Sequence, residues 1–199
     1  LQRTGFLELV PYGAILLSIA VLMMLEPHMS GTILIMLGGA AVLFAAGIKL
    51  YWFVGGAAGL AGLLLLMMSG YQSTRIKIWR DPWNDGMNGR GDGFQIIQSL
   101  LSIGSGGLLG VGLGKSRQKF DFLPEPENDF IFAVVCEELG LVGACVILFL
   151  FALLIIRGFW IAIHARDRFG ALLVVGIMTL LAGQVFLNIA VVTNLIPTT

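Results

Sequence analysis

The sequence predicts an all-α fold, a polytopic membrane helical bundle interrupted by one large polar loop. Three observations predict it. First, 57% of the residues are hydrophobic and only 12% are charged, with a mean hydropathy of +0.92; soluble domains carry roughly 25% charged residues. Second, five apolar stretches approach the length of about 20 residues that an α-helix needs to cross a bilayer. Third, charge is gathered in one place. Of 12 Lys/Arg and 12 Asp/Glu, seven of each lie between Tyr71 and Asp129. A transmembrane β-barrel would instead show alternating segments of about 10 residues, and the apolar stretches do not alternate. The formal net charge is zero, so nothing draws the chain toward nucleic acid.

The predicted spans are Phe6–Leu25, Met29–Gly47, Tyr51–Met68, Leu139–Ile156 and Ala171–Ile196. They form a single integral membrane domain over 1–199, with 71–129 as a loop within it. Arg3, Lys49 and the Arg157–Arg168 stretch fall on one side of the membrane, and the turn Glu26-Pro27-His28 falls on the other. The positive-inside rule makes the first side cytoplasmic. Alternation then puts the 71–129 loop on the extracytoplasmic face. The span centres lack the ionisable residues that transporters keep there. Glu137 and Glu138 are the exception, about 12–14 Å along a helix that begins at Asp129. Gln184 and Asn188 share one face of the last span, a spacing that suits helix–helix contact. Cys136 and Cys145 fit neither a metal cluster nor a disulfide framework and read as small core residues. The chain starts and stops abruptly beside hydrophobic spans, so it is expected to be part of a longer protein.

Within the loop, 75–83 mixes bases with Trp79 and Trp83 and reads as an interfacial anchor or an anion-facing rim. Phe94–Ile103 is amphipathic: Gln95, Gln98, Ser99 and Ser102 recur at helical spacing. That stripe reads as the wetted face of a structural helix, or as a lining for a sugar or headgroup through Gln98 and Ser99. Gly104-Ser-Gly-Gly-Leu-Leu-Gly110-Val-Gly-Leu-Gly114-Lys-Ser-Arg-Gln-Lys119 is not a nucleotide loop, because Leu109 stands where the phosphate-loop spacing needs glycine. Its glycines allow close backbone approach. Lys115, Arg117 and Lys119 suit a pyrophosphate headgroup or anionic lipid. Asp129 reads as a helix cap, in competition with Asn128, or as a general base.

Together these residues resemble the SEDS family (shape, elongation, division and sporulation), the FtsW/RodA/SpoVE proteins. In family order stand Asp81-Pro82, Gly93-Phe94-Gln95, Gln98-Ser99, Ile103-Gly-Ser-Gly-Gly107, Gly110-Val-Gly-Leu-Gly114, Ser116-Arg-Gln-Lys119, Leu123-Pro-Glu125, Asp129-Phe-Ile-Phe-Ala133 and Glu137-Glu-Leu-Gly140. Glu26-Pro27, Gly31-Thr32, Gln184, Asn188, Val192-Thr193 and Pro197 extend the likeness along the chain. The Gly-Leu-Gly-x-Ser-x-Gln-Lys form is nearer FtsW and SpoVE than RodA. His28 stands where the family often has Asp, and Glu127-Asn128 where it often has His-Thr.

The resemblance implies helices five to nine of a ten-helix protein. It implies an inverting glycosyltransferase that polymerises lipid II into glycan strands of peptidoglycan during division or sporulation. Asp129 matches the family's loop aspartate and would be the catalytic base. Lys119, with Arg117 and Lys115, would face the pyrophosphate, and Glu125, Glu137 and Glu138 would position substrate or a cation, or order the loop. A divalent cation, magnesium or manganese, suits pyrophosphate chemistry; no dedicated metal cage and no organic cofactor are expected. Expected partners are lipid II, the growing glycan strand, a class B penicillin-binding protein, divisome or sporulation proteins, and membrane lipids. The place of action is the bacterial plasma membrane. The rival function is a lipid II carrier or flippase without enzymatic activity.

Overall fold

A computed structural model describes residues 6–25, 29–49, 51–53, 55, 56, 59, 62, 76–84, 87, 91, 93–116 and 130–197. The long helices are α1 (Phe6–Leu25), α2 (Met29–Ala45), α3 (Phe94–Gly106), α4 (Ile131–Ile163) and α5 (Arg168–Val192). The described residues contain no strand. The apolar helices present their side chains outward. Phe149, Leu150, Ile156 and Phe186 are all about three-fifths exposed. Only 11% of the most apolar stretch of α4 and 6% of that of α5 is buried. A soluble protein would bury such helices; a helical bundle solvated by lipid need not. The chain is therefore a membrane helical bundle, as its composition predicts.

The helix boundaries follow local chemistry. α1 occupies the predicted span. α2 ends two residues before its predicted limit, at a turn built on Gly47 (φ 97°). There Ile48 N–H donates to Leu43 C=O at 3.2 Å and Gly47 N–H to Phe44 C=O at 2.9 Å. α5 ends by the same pattern around Asn194 (φ 57°), with Leu195 N–H to Ala190 C=O at 2.7 Å and Asn194 N–H to Val191 C=O at 3.0 Å. This reciprocal pair satisfies carbonyls that a helix end leaves open, and Gly and Asn are the residues that tolerate its left-handed position. The predicted third span, Tyr51–Met68, lies mostly outside the described residues.

The chain forms two compact units. The first comprises 1–67, 153–184 and 199; the second comprises 68–152 and 185–198. In the first unit, glycines set the helix contacts. A methyl at Gly39 of α2 would lie 2.5 Å from Leu16 of α1, and one at Gly38 would lie 2.7 Å from Leu180 of α5. Gly183 of α5 meets Leu34 of α2 in the same way, at 2.7 Å. Small residues let membrane helices approach closely enough for van der Waals packing to hold them.

The second unit carries the loop residues. α4 is much longer than the predicted Leu139–Ile156, at 33 residues, and is broken at Gly140 (φ 67°, ψ −172°). At 1.5 Å per residue the stretch from Leu141 to Ile163 rises about 35 Å, against a hydrocarbon core of about 30 Å. The part after Gly140 alone suffices to cross. Phe130, just before α4, is buried with Ala133 and with Val192 of α5. The Trp79 indole donates to Asn194 C=O at 3.0 Å, and the Asn194 side-chain amide donates back to Trp79 C=O at 3.2 Å. Trp79 thus joins the helical turn 76–80 to the end of α5, which is more than an interfacial anchor; Trp83 remains exposed. Cys136 is buried, as a core residue should be, whereas Cys145 is exposed on the apolar surface of α4.

Candidate active site: a glycine loop spliced into a broken helix

The polar stripe of α3 faces inward. Ser99 and Ser102 are fully buried, Gln95 and Gln98 half-buried, while Leu100 and Leu101 are exposed. The stripe expected to be wetted is thus the packed face. The reason is visible in its hydrogen bonds. Ser99 Oγ donates to Val192 C=O at 2.7 Å, and Ser102 Oγ lies 3.1 Å from both Ala133 C=O and Glu137 Oε2. In a lipid-solvated bundle, hydroxyls hold helices together better than they serve as a surface. Gly106 allows the closest approach, since a methyl there would overlap the Cys136 carbonyl and Glu137 Cα of α4. At the other end of α3, Gly93 packs on the Pro82 carbonyl, which accounts for the Asp81-Pro82 and Gly93-Phe94 pieces of the sequence pattern.

Beyond Gly106 the chain enters the break in α4. Val111 N–H donates to Glu137 C=O at 2.9 Å, and Gly112 N–H to Glu138 C=O at 3.1 Å. In return, Leu141 N–H donates to Gly107 C=O at 2.9 Å, and Val142 N–H to Leu108 C=O at 3.2 Å. A helix broken at Gly140 leaves carbonyls open before the break and amides open after it, and the glycine loop supplies partners to both. Gly110 and Gly140 meet backbone to backbone. Gly110 (φ 78°) and Gly140 adopt conformations that side chains resist. The glycines that fail as a phosphate loop are thus explained as a backbone splice.

One buried carboxylate fixes the exit of that loop. Glu137 is 3% exposed, and its Oε2 accepts from Ser116 Oγ at 2.5 Å as well as from Ser102 Oγ. Ser116 is itself buried, so the basic stretch begins at a fixed point; Lys115, next to it, is exposed. Glu138 is half-buried and contributes its carbonyl to the splice. Glu137→Ala is expected to lower the thermal midpoint of the full-length protein in detergent, at about 0.5–1.5 kcal/mol per hydrogen bond lost. Glu137→Gln keeps an acceptor in place and should recover most of the loss. Equal midpoints for the two variants would remove the side-chain oxygen from the account.

The site residues predicted from sequence divide cleanly. Lys115, Gln98, Ser99 and Glu138 lie in the second unit, around α3, the splice and α4. Arg117, Lys119, Glu125 and Asp129 lie outside the described residues, as do His28 and Asn128. The helix expected to begin at Asp129 begins at Ile131; Val134 N–H closes the first α-helical bond on Phe130 C=O at 3.3 Å. Among the described residues no three His, Cys, Asp or Glu converge as metal ligands. The Ser102–Ser116–Glu137 cluster was not anticipated. Its signal was Glu137, which with Glu138 forms an acidic pair inside an otherwise charge-free apolar run.

A family model described as a cell cycle protein, FtsW/RodA/SpoVE, matches residues 2–199. The chain belongs to this family. Family relatives include stage V sporulation protein E of Bacillus subtilis strain 168, 47% identical over 99% of this chain and 53% of the relative. The probable peptidoglycan glycosyltransferase FtsW of Geobacter metallireducens is 45% identical over 98% of this chain and 51% of its own length. The peptidoglycan glycosyltransferase MrdB of Escherichia coli K12 is 42% identical over 86% and 47%. Among solved structures, a chain from work on the structural coordination of polymerization and crosslinking by a peptidoglycan synthase complex superposes with a TM-score of 0.70. It is 29% identical and covers 94% of this chain and 52% of that one. The FtsW/RodA/SpoVE chain described here thus spans about half the length of the relatives it matches.

Proposed function

We propose that the protein to which this chain belongs is an inverting peptidoglycan glycosyltransferase. It polymerises lipid II into β-1,4-linked glycan strands on the extracytoplasmic face of the bacterial plasma membrane. The observation that carries the proposal is the family match over residues 2–199, with relatives named as peptidoglycan glycosyltransferases. Asp129 takes the proton from the acceptor sugar's 4-hydroxyl. That oxygen attacks the donor's anomeric carbon as the bond to pyrophosphate breaks. Undecaprenyl pyrophosphate departs with the electron pair, and Asp129 returns its proton to solvent. Lys119, with Arg117 and Lys115, offsets the charge on the leaving group, as cationic clamps do.

Two described contacts support this placement. Ser116, before Arg117, is bonded to Glu137, and Phe130, after Asp129, is buried against Ala133. Glu137 stands seven residues beyond Phe130, about 10 Å at 1.5 Å per residue. Asp129 and Arg117 are thus the sequence neighbours of two residues held on the part of α4 before its break. Gln98, Glu125 and Glu138 position the substrate. A divalent cation, magnesium or manganese, would add to the charge offset, with Glu125 or Glu138 as the carboxylates that would hold it. The protein spans the membrane several times and works beside a class B penicillin-binding protein among division or sporulation proteins.

The test uses the full-length protein with its penicillin-binding partner and purified lipid II, with glycan strands read on a gel. Strand formation that survives inhibition of the partner's crosslinking is the expected result. Transfer of lipid II across vesicles without any strands would favour the carrier reading and overturn this one.

A further inference from the structure

The glycine loop carries its apolar side chains outward: Leu108 is 68% exposed, Leu109 82% and Leu113 76%. We propose that residues 108–113 dip into the hydrocarbon of the bilayer leaflet in which the post-break part of α4 starts, as a membrane-inserted loop whose occupant is lipid. Three observations carry this.

First, five peptide groups of residues 107–112 are paired within the protein. The amides of Gly110, Val111 and Gly112 donate to Gly106, Glu137 and Glu138 carbonyls, and the carbonyls of Gly107 and Leu108 accept from Leu141 and Val142. Irregular backbone is excluded from hydrocarbon because its open polar groups have no water there, each costing several kcal/mol. These five groups have shed that cost, whereas a loop built for water has no need to. Second, the leucines join a surface already turned outward. The splice attaches the loop beside Leu141 and Val142, which are 57% and 54% exposed, and the same helix continues with Val146, Phe149 and Leu150 exposed. Third, the loop ends at exposed Lys115, whose long stem lets the ammonium reach the headgroups while the leucines lie deeper.

Spin labels test the idea in the full-length protein reconstituted in phosphatidylcholine–phosphatidylglycerol vesicles. Leu109→Cys and Leu113→Cys are labelled in a background with Cys136, Cys145 and every cysteine outside residues 1–199 replaced by Ala. Leu153→Cys in α4 serves as the lipid reference and Trp83→Cys as the interfacial one. The collision rates with oxygen and with a water-soluble nickel chelate are then compared. The expected result is an oxygen-to-nickel ratio at 109 and 113 that lies closer to the value at 153 than to that at 83. Both sites are highly exposed, so labelling should leave the fold intact, and retained strand synthesis checks that it does. Free access of the nickel chelate at both sites would place the loop in water and overturn the proposal. Protection from both reagents would overturn it too, because the leucines would then be covered by protein.

Discussion

Asp129→Asn in the full-length protein is expected to depress strand synthesis by about 100- to 10,000-fold, the range a positioned general base supplies. Lipid II should still bind with little change in affinity. Asparagine preserves the size and polarity of the side chain but cannot accept the acceptor sugar's proton at neutral pH. It is also as good a helix cap as aspartate. The substitution therefore separates the two readings that the sequence leaves open. If Asp129 served only to start the helix, Asn would restore activity while Ala would not. The measurement is single-turnover strand synthesis alongside lipid II binding, for Asn and Ala variants with the wild type. Near wild-type turnover by Asp129→Asn would remove the carboxylate from the mechanism. Equal loss in binding and turnover would make it a substrate-holding group instead.

Much of this architecture was legible because membrane solvation writes it in plain terms. The limits of α1 and α2 follow from apolar length and from the glycine at Gly47. α4 was not legible in the same way. The span predicted from Leu139 covers only part of a helix that starts at Ile131, because Glu137 and Glu138 mark the edge of the apolar run. In the folded chain Glu137 is paired with two seryl hydroxyls contributed from far away in sequence. Periodicity reports that one face of a segment differs from the other. It does not report which face is buried when the surrounding solvent is itself apolar. That is why Ser99 and Ser102 of α3 pack inward while Leu100 and Leu101 look out. The glycine run posed the complementary difficulty. Sequence could reject it as a nucleotide loop, but its true partner, the break at Gly140, lies 28 residues from Gly112, and no local pattern joins them.

Gly140→Ala is expected to eject the glycine loop from α4. At φ 67° and ψ −172° the residue occupies a region that is essentially reserved for glycine, with strain of about 1–3 kcal/mol for any other residue. The new methyl would also lie 2.6 Å from the carbonyl of Leu108 and closer still to the amide of Gly110. Both neighbours are backbone, so neither can rotate away as a side chain would. Alanine is in addition the strongest helix former. The cheaper arrangement is a continuous helix through 140, in which the Glu137 and Glu138 carbonyls bond down their own helix and no longer receive Val111 and Gly112. The loop then loses four backbone hydrogen bonds, each worth about 0.5–1.5 kcal/mol net. Ser116 loses its fixed position on Glu137. Hydrogen exchange reads this directly. The amides of Val111 and Gly112 should lose protection while those of α4 beyond Val142 keep it, and strand synthesis should fall even though the helix is more regular. Gly110→Ala, whose methyl would overlap the Glu138 carbonyl, should give the same exchange pattern from the loop side. Unchanged protection at Val111 and Gly112 in both variants would show that the splice does not depend on these glycines. If protection is lost in both but synthesis remains normal, the splice is an architectural feature with no part in placing the catalytic stretch.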